Sequence, residues 1–135
     1  MSRFTLPLRV YIEDTDAGGI VYYVNYFKYM ERARTEFLRS IGFGKSFIFN
    51  EELMFVVKAL QSHYHAPAVL DDELSASATP VAIGGASLTL EQGIYRGDEL
   101  IVAAEVQIVC VDRASKKPKR IPKTMISRLR ECQSL

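Results

Sequence analysis

From Asn25 onward the apolar residues Tyr26, Met30, Ala33, Phe37 and Ile41 recur at spacings of three and four, which draws one apolar stripe along a helix. Asn25 suits the N-cap and Gly42 the stop. At ~1.5 Å per residue such a helix runs roughly 25 Å, enough to cross a small sheet. Ahead of it, Phe4–Ile12 reads as a strand. The following Glu13-Asp14-Thr15-Asp16-Ala17-Gly18-Gly19 reads as a loop, since two adjacent glycines suit the interior of neither element. A short helical stretch is expected near Ser46–Glu52, and beyond it a period of two takes over. Met54–His65 is a long β-rich run, Leu74–Thr79 alternates strictly, and Leu88, Leu90 and Ile94, then Val102, Ala104, Val106, Ile108 and Cys110, continue the alternation. Gly84-Gly85 and Gly97-Asp98 fall between these runs, where two-residue hairpin turns require positive φ. A last helix is expected after Pro122. The order β-α-β-β-β-β predicts an α+β fold in which about five antiparallel strands wrap one long helix.

Composition narrows the class further. The chain has 135 residues, 48% hydrophobic and 24% charged, which fits a single soluble domain spanning residues 1–135. A domain of this size buries roughly two-thirds of its unfolded surface, so it needs no metal or disulfide to staple it. The longest apolar runs, Ile20–Met30 and Leu53–Leu60, are too short to span a bilayer and carry Asn25, Lys28 or Lys58. Pro7 and Arg9 interrupt the stretch that a secretory signal would need to be apolar, so the expected location is the cytoplasm. Cys110 and Cys132 form no CxxC or Cys/His spacing, and Cys110 sits in an apolar strand where a reduced thiol packs well.

Charge is unevenly distributed. Eight of the 17 basic residues lie between Arg113 and Arg130 with no acidic residue among them, leaving nine basic against 16 acidic elsewhere. An acidic body argues against nucleic-acid binding, and no aromatic residue is interleaved with the basic segment to stack on bases. The stretch Lys116-Lys117-Pro118-Lys119-Arg120 is then either a solvated turn or a site for a phosphate-bearing ligand.

Candidate chemistry concentrates at the acidic loop. Glu13, Asp14 and Asp16 precede a helix N-terminus, whose free N–H groups favour negative charge. They serve either as solvated loop acids and caps or as part of a site. Gly18-Gly19 favours the second, because it lets a ligand approach the backbone beside those donors, where an oxyanion can be held while an acid acts on water. Asp14 is expected to matter far less than Asp16. His63 and His65 share one strand face, but nothing completes a metal set around them, so they read as a polar strand end. There is no glycine-rich phosphate loop and no serine nucleophile elbow. Tyr22, Tyr23, Tyr26, Phe27 and Tyr29 form an aromatic cluster that either packs the core or stacks on an acyl group.

Arg9–Tyr26, followed by Glu31-Arg32-Ala33-Arg34, resembles the hotdog-fold acyl-CoA thioesterases. It is most similar to their 4-hydroxybenzoyl-CoA thioesterase-like group, and within it to the Tol-Pal-associated branch. Phe55–Lys58, Tyr64–Asp72, Cys110–Asp112 and the prolines at 118 and 122 extend the likeness over nearly the whole chain. The resemblance implies a hotdog fold, active sites at a dimer interface within a homodimer or homotetramer, and acyl-CoA as substrate, with no metal or organic cofactor. Asp16 matches the catalytic carboxylate, acting as nucleophile or general base, and the backbone N–H that polarises the thioester carbonyl falls on Tyr23 or a close neighbour. The Tol-Pal branch usually has His at the position of Tyr23, whereas the 4-hydroxybenzoyl-CoA branch has Tyr. Gly19, Asn25, Tyr26, Val57, Lys58 and Ser87 are implied at the substrate, and Lys117, Lys119 and Arg120 at the CoA phosphates. A different class competes: a hotdog protein that binds acyl-CoA or a protein partner without turnover, against which the presence of Asp16 argues.

Overall fold

The computed structural model describes residues 3–48 and 52–133. Strand β1 (Phe4–Arg9) leads through a single 3-10 turn (Ile12–Asp14) and a glycine loop into α1 (Tyr23–Ser40). A four-residue helix, α2 (Lys45–Ile48), precedes β2 (Leu53–Tyr64), β3 (Glu73–Ile83), β4 (Ser87–Arg96) and β5 (Glu99–Asp112), and α3 (Lys123–Cys132) closes the described chain. The strands form one antiparallel sheet in the order β1-β3-β4-β5-β2. This is the expected α+β architecture. The stripe Tyr26, Met30, Ala33 and Phe37 is buried as the periodicity predicts, joined by Tyr29; α1 lies against β3, β1 and β4, and the stripe shares one core with Leu74, Ala76, Leu88, Leu90, Ile94, Val102 and Val106 of the sheet.

Several boundaries differ from the sequence reading. The first strand stops at Arg9 rather than Ile12, because Asp14 draws the chain into a tight turn by accepting the Tyr11 N–H. Helix α1 begins at Tyr23, so Asn25 is its third residue and not its cap. Gly42 does end it, with φ +102°. The stretch expected to be helical over Ser46–Glu52 is α2, and residues 49–51 lie outside the described residues. Gly97 takes the expected positive φ of +61° in the β4–β5 turn, but Gly84 and Gly85 do not. Space decides at Gly84 instead, since a Cβ there would sit 2.7 Å from Ser87 Oγ.

The two edges of the sheet are unlike. β1 is six residues long and carries Pro7, which blunts an edge. β2 is twelve residues long and leaves Val56, Val57, Leu60 and Tyr64 exposed. Its pairing with β5 breaks between Val57 and Ala59, so Lys58 is the extra residue of a bulge. Cys110 and Cys132 are free thiols whose pKa burial raises. Among the described residues no helix is long and apolar enough to cross a membrane.

Candidate active site

The loop between the 3-10 turn and α1 is closed by a bridge from Thr15 to Val21. Inside it the Asp16 N–H donates to the Ile20 carbonyl at 2.9 Å, and the Gly19 N–H donates to the Asp16 carbonyl at 3.0 Å. Gly19 reverses the chain with φ +80°, a conformation that disfavours any residue with a Cβ. The Gly18 N–H donates to Asp16 Oδ1 at 2.8 Å, which fixes the carboxylate at the loop tip. Asp16 Oδ2 has no partner among the described residues, and the side chain faces solvent.

Asp14 is the opposite case. It is only 6% exposed, so of the roles open to the loop acids it is not the solvated one. Its Oδ2 accepts the Tyr11 N–H at 2.9 Å, its Oδ1 accepts the Asn25 side-chain amide at 2.9 Å, and its carbonyl accepts the Tyr22 N–H at 2.9 Å. Asn25 is thereby turned inward. Tyr29 places its hydroxyl beside the same carboxylate without a hydrogen bond of good geometry; burial first, then the neighbouring Asp14, push the phenol pKa well up.

These ties leave the helix start open. Tyr22, the N-cap, supplies no side-chain cap, and the N–H groups of Tyr23 and Val24 have no partner among the described residues. An 18-residue helix thus presents unpaired donors, at the positive end of its dipole, next to a loop that carries an exposed carboxylate. The aromatic cluster divides between the two roles considered for it. Tyr26 and Tyr29 are core, while Tyr22 and Tyr23 are about half exposed and pack edge-on with ring centroids 5.1 Å apart. Tyr26 also closes the back of the site. Its hydroxyl accepts the Ala68 N–H at 3.1 Å, and burial raises its pKa despite that bond. The segment holding Ala68 is anchored in turn by Arg96, which donates to Asp72 Oδ2 at 2.6 Å and to the Pro67 carbonyl at 3.2 Å.

The remaining candidate residues gather at the other end of the sheet. Ser87 pairs with Val109 and Val56 pairs with the same residue from the opposite side, so Ser87, Val57 and Lys58 lie together across three strands. Lys117, Lys119 and Arg120 follow in a turn that folds back on β5, with Lys119 Nζ 4.0 Å from Asp112 Oδ1 and the Lys119 N–H on the Cys110 carbonyl. Lys117 and Arg120 are exposed. Within one chain this group does not meet Asp16. Tyr64 packs against Tyr23, and Val57 is seven residues back along β2, roughly 20 Å at ~3.3 Å per residue. A groove of about 350 Å³ opens near Val57 between α1 and β2, walled by Leu38, Phe47 and Phe55 with Arg34 at its side. His63 and His65 are exposed, and no group of three or more His, Cys, Asp or Glu that could hold a metal occurs among the described residues.

A single antiparallel sheet around one helix, with open donors beside a loop carboxylate, defines an α+β site suited to a developing oxyanion. The chain belongs to the thioesterase superfamily, which it matches over residues 18–103, and it is a thioester hydrolase of the hotdog fold. It is 41% identical over 129 residues to the acyl-CoA thioester hydrolase YbgC of Escherichia coli O6:H1, covering 95% of this chain and 96% of that one. It is 42% identical over 121 residues to the acyl-CoA thioesterase YbgC of Haemophilus influenzae, covering 89% of each. Among solved structures, a probable thioesterase from Bartonella henselae superposes with a TM-score of 0.85 at 34% identity, covering 90% of this chain and all of that one.

Proposed function

We propose that this protein hydrolyses acyl-CoA thioesters, with Asp16 as the reacting carboxylate and the backbone N–H at Tyr23 as the oxyanion donor. The observation that carries this reading is the pair of unpartnered N–H groups at the start of α1 beside an exposed carboxylate held at a loop tip. As general base, Asp16 takes a proton from water; the hydroxide adds to the thioester carbonyl, the oxygen becomes an oxyanion against the Tyr23 N–H, and the C–S bond breaks. The departing thiolate of CoA then takes the proton. As nucleophile, Asp16 adds to the carbonyl itself, expels the thiolate and leaves a mixed anhydride that water opens. Both routes use the same donors and need no metal. The YbgC relatives act on acyl-CoA by name, which supports that substrate class here.

The separation of the two groups of site residues supports a site shared between two copies. β2 is a long apolar edge, and pairing it antiparallel with a second β2 satisfies the backbone groups on the side turned away from β5. The same pairing carries the partner's bulge region toward the Tyr64 end of β2, where α1 starts. The working unit is then a homodimer, alone or within a homotetramer, and the basic turn at residues 117–120 meets the CoA phosphates at the rim.

Thiol release from short, long and aromatic acyl-CoAs, followed with a thiol reagent, tests this function. Turnover of at least one of them with release of free CoA is expected. No release from any member, by a folded protein, contradicts the proposal.

A further inference from the structure

We infer that Asp14 is a positioning residue for the reaction, whose buried carboxylate holds the Asp16 loop and the first turn of α1 in a fixed relation. It rests on the proposed thioesterase reading and adds to it a residue that never touches substrate. Three elements converge on this one side chain and its own carbonyl: the exit of β1 through the Tyr11 N–H, the N-cap through the Tyr22 N–H, and the first helical turn through the Asn25 amide. The oxyanion donor at Tyr23 lies between the last two. Asp16 lies two residues beyond Asp14, and Thr15 between them is tied down by its hydroxyl on the Ile12 carbonyl at 2.7 Å. Displacing Asp14 therefore moves carboxylate and donor relative to each other.

The chemistry of the contact explains why an acid stands here. The two groups hydrogen-bonded to the carboxylate are N–H donors, and the Tyr29 hydroxyl beside it is a third group with a proton to give, so position 14 must accept on both oxygens. An amide at 14 can accept on one side only and sets its own NH2 against a donor on the other. That mismatch cannot be relieved by water, because the site is almost fully buried. The carboxylate also sits beside the first turn of α1, where the helix dipole favours negative charge. Exchanging the two side chains restores the pattern. In Asp14→Asn combined with Asn25→Asp, the new amide oxygen accepts from Tyr11 and the new amide NH2 donates to the carboxylate at 25.

Steady-state kinetics on the best acyl-CoA, with melting temperature measured in parallel, test the role. Asp14→Asn is expected to lower kcat by ~10- to 100-fold with KM changed less than about twofold, since misplacement of reacting groups by about an ångström costs on this scale while the remote CoA contacts persist. The double exchange is expected to recover most of kcat. Should Asp14→Asn not fold, Asn25→Ala removes the same tie to the helix and is expected to show the same fall in kcat. A folded single variant with the parent kcat, or a double exchange that melts like the parent but stays slow, overturns the inference. A wild type that hydrolyses no thioester overturns the proposed function and this role with it.

Discussion

The ring of Tyr64, the last residue of β2, packs edge-on against the ring of Tyr23, the first residue of α1, with centroids 6.3 Å apart. The start of the long helix is thereby pinned to one end of an open edge strand, and whatever pairs with that strand is brought beside the unpartnered N–H groups.

Assembly follows from this relationship. The outer edge of β2, which pairs with β5 on its other side only, and its exposed Val56, Val57 and Leu60 make a template for a second copy. Sedimentation velocity is expected to show dimers or tetramers and no active monomer at assay concentrations. An active monomer contradicts the shared site.

The basic turn yields a kinetic signature. Lys117 and Arg120 are exposed and Lys119 is half-buried against Asp112, so each contributes a salt-screened contact rather than structural support. Replacing all three by Ala is expected to raise KM for an acyl-CoA severalfold and leave kcat nearly unchanged, with no effect on the same acyl group carried by a short phosphate-free thiol. An equal rise for both thioesters, or none, removes the phosphate role.

Acid stability reports on the segment behind the site. Burial disfavours the Asp72 carboxylate, but the Val69 N–H and Arg96 outweigh it and hold its pKa below the ordinary 3.8. A lowered folded-state pKa stabilises the fold above the unfolded value and ceases to do so as pH falls through the folded one. Asp72→Asn is therefore expected to melt below the parent at pH 6, and the difference is expected to shrink at pH values under 3.8. Thermal melts across this range check it; a constant difference contradicts the assignment.

Elements with a clean period were legible in the sequence. The stripe from Tyr26 to Phe37 and the alternation from Val102 to Cys110 each leave one consistent face, and the structure buries that face. The exact start of α1 was not legible, because Asn25 has the chemistry of an N-cap yet spends its amide on Asp14, a partner eleven residues away. Asp14 itself looked like one acid among three. The resemblance singled out Asp16, but the buried contacts of Asp14 with Tyr11 and Asn25 are tertiary and left no local signal. Gln92 was also missed, although its place in Leu88-x-Leu90-x-Gln92-x-Ile94 marks an inward position. There its amide donates to the Met30 and Ser77 carbonyls and accepts from Arg34. Of the candidate site, the loop and its place just ahead of a helix could be read from local spacing. The distance of Val57, Ser87 and the basic turn from them could not, since it depends on strand order.

The most direct measurement compares Asp16→Asn with the parent on the best acyl-CoA, with melting temperature recorded for both. Asp16 faces solvent and its one side-chain bond is to the Gly18 N–H, which the amide oxygen of Asn can also accept, so the melting temperature is expected to stay within a degree or two. Loss of the positioned carboxylate is expected to lower kcat by ~10²- to 10⁴-fold. A folded Asp16→Asn protein that releases CoA at the parent rate contradicts the account.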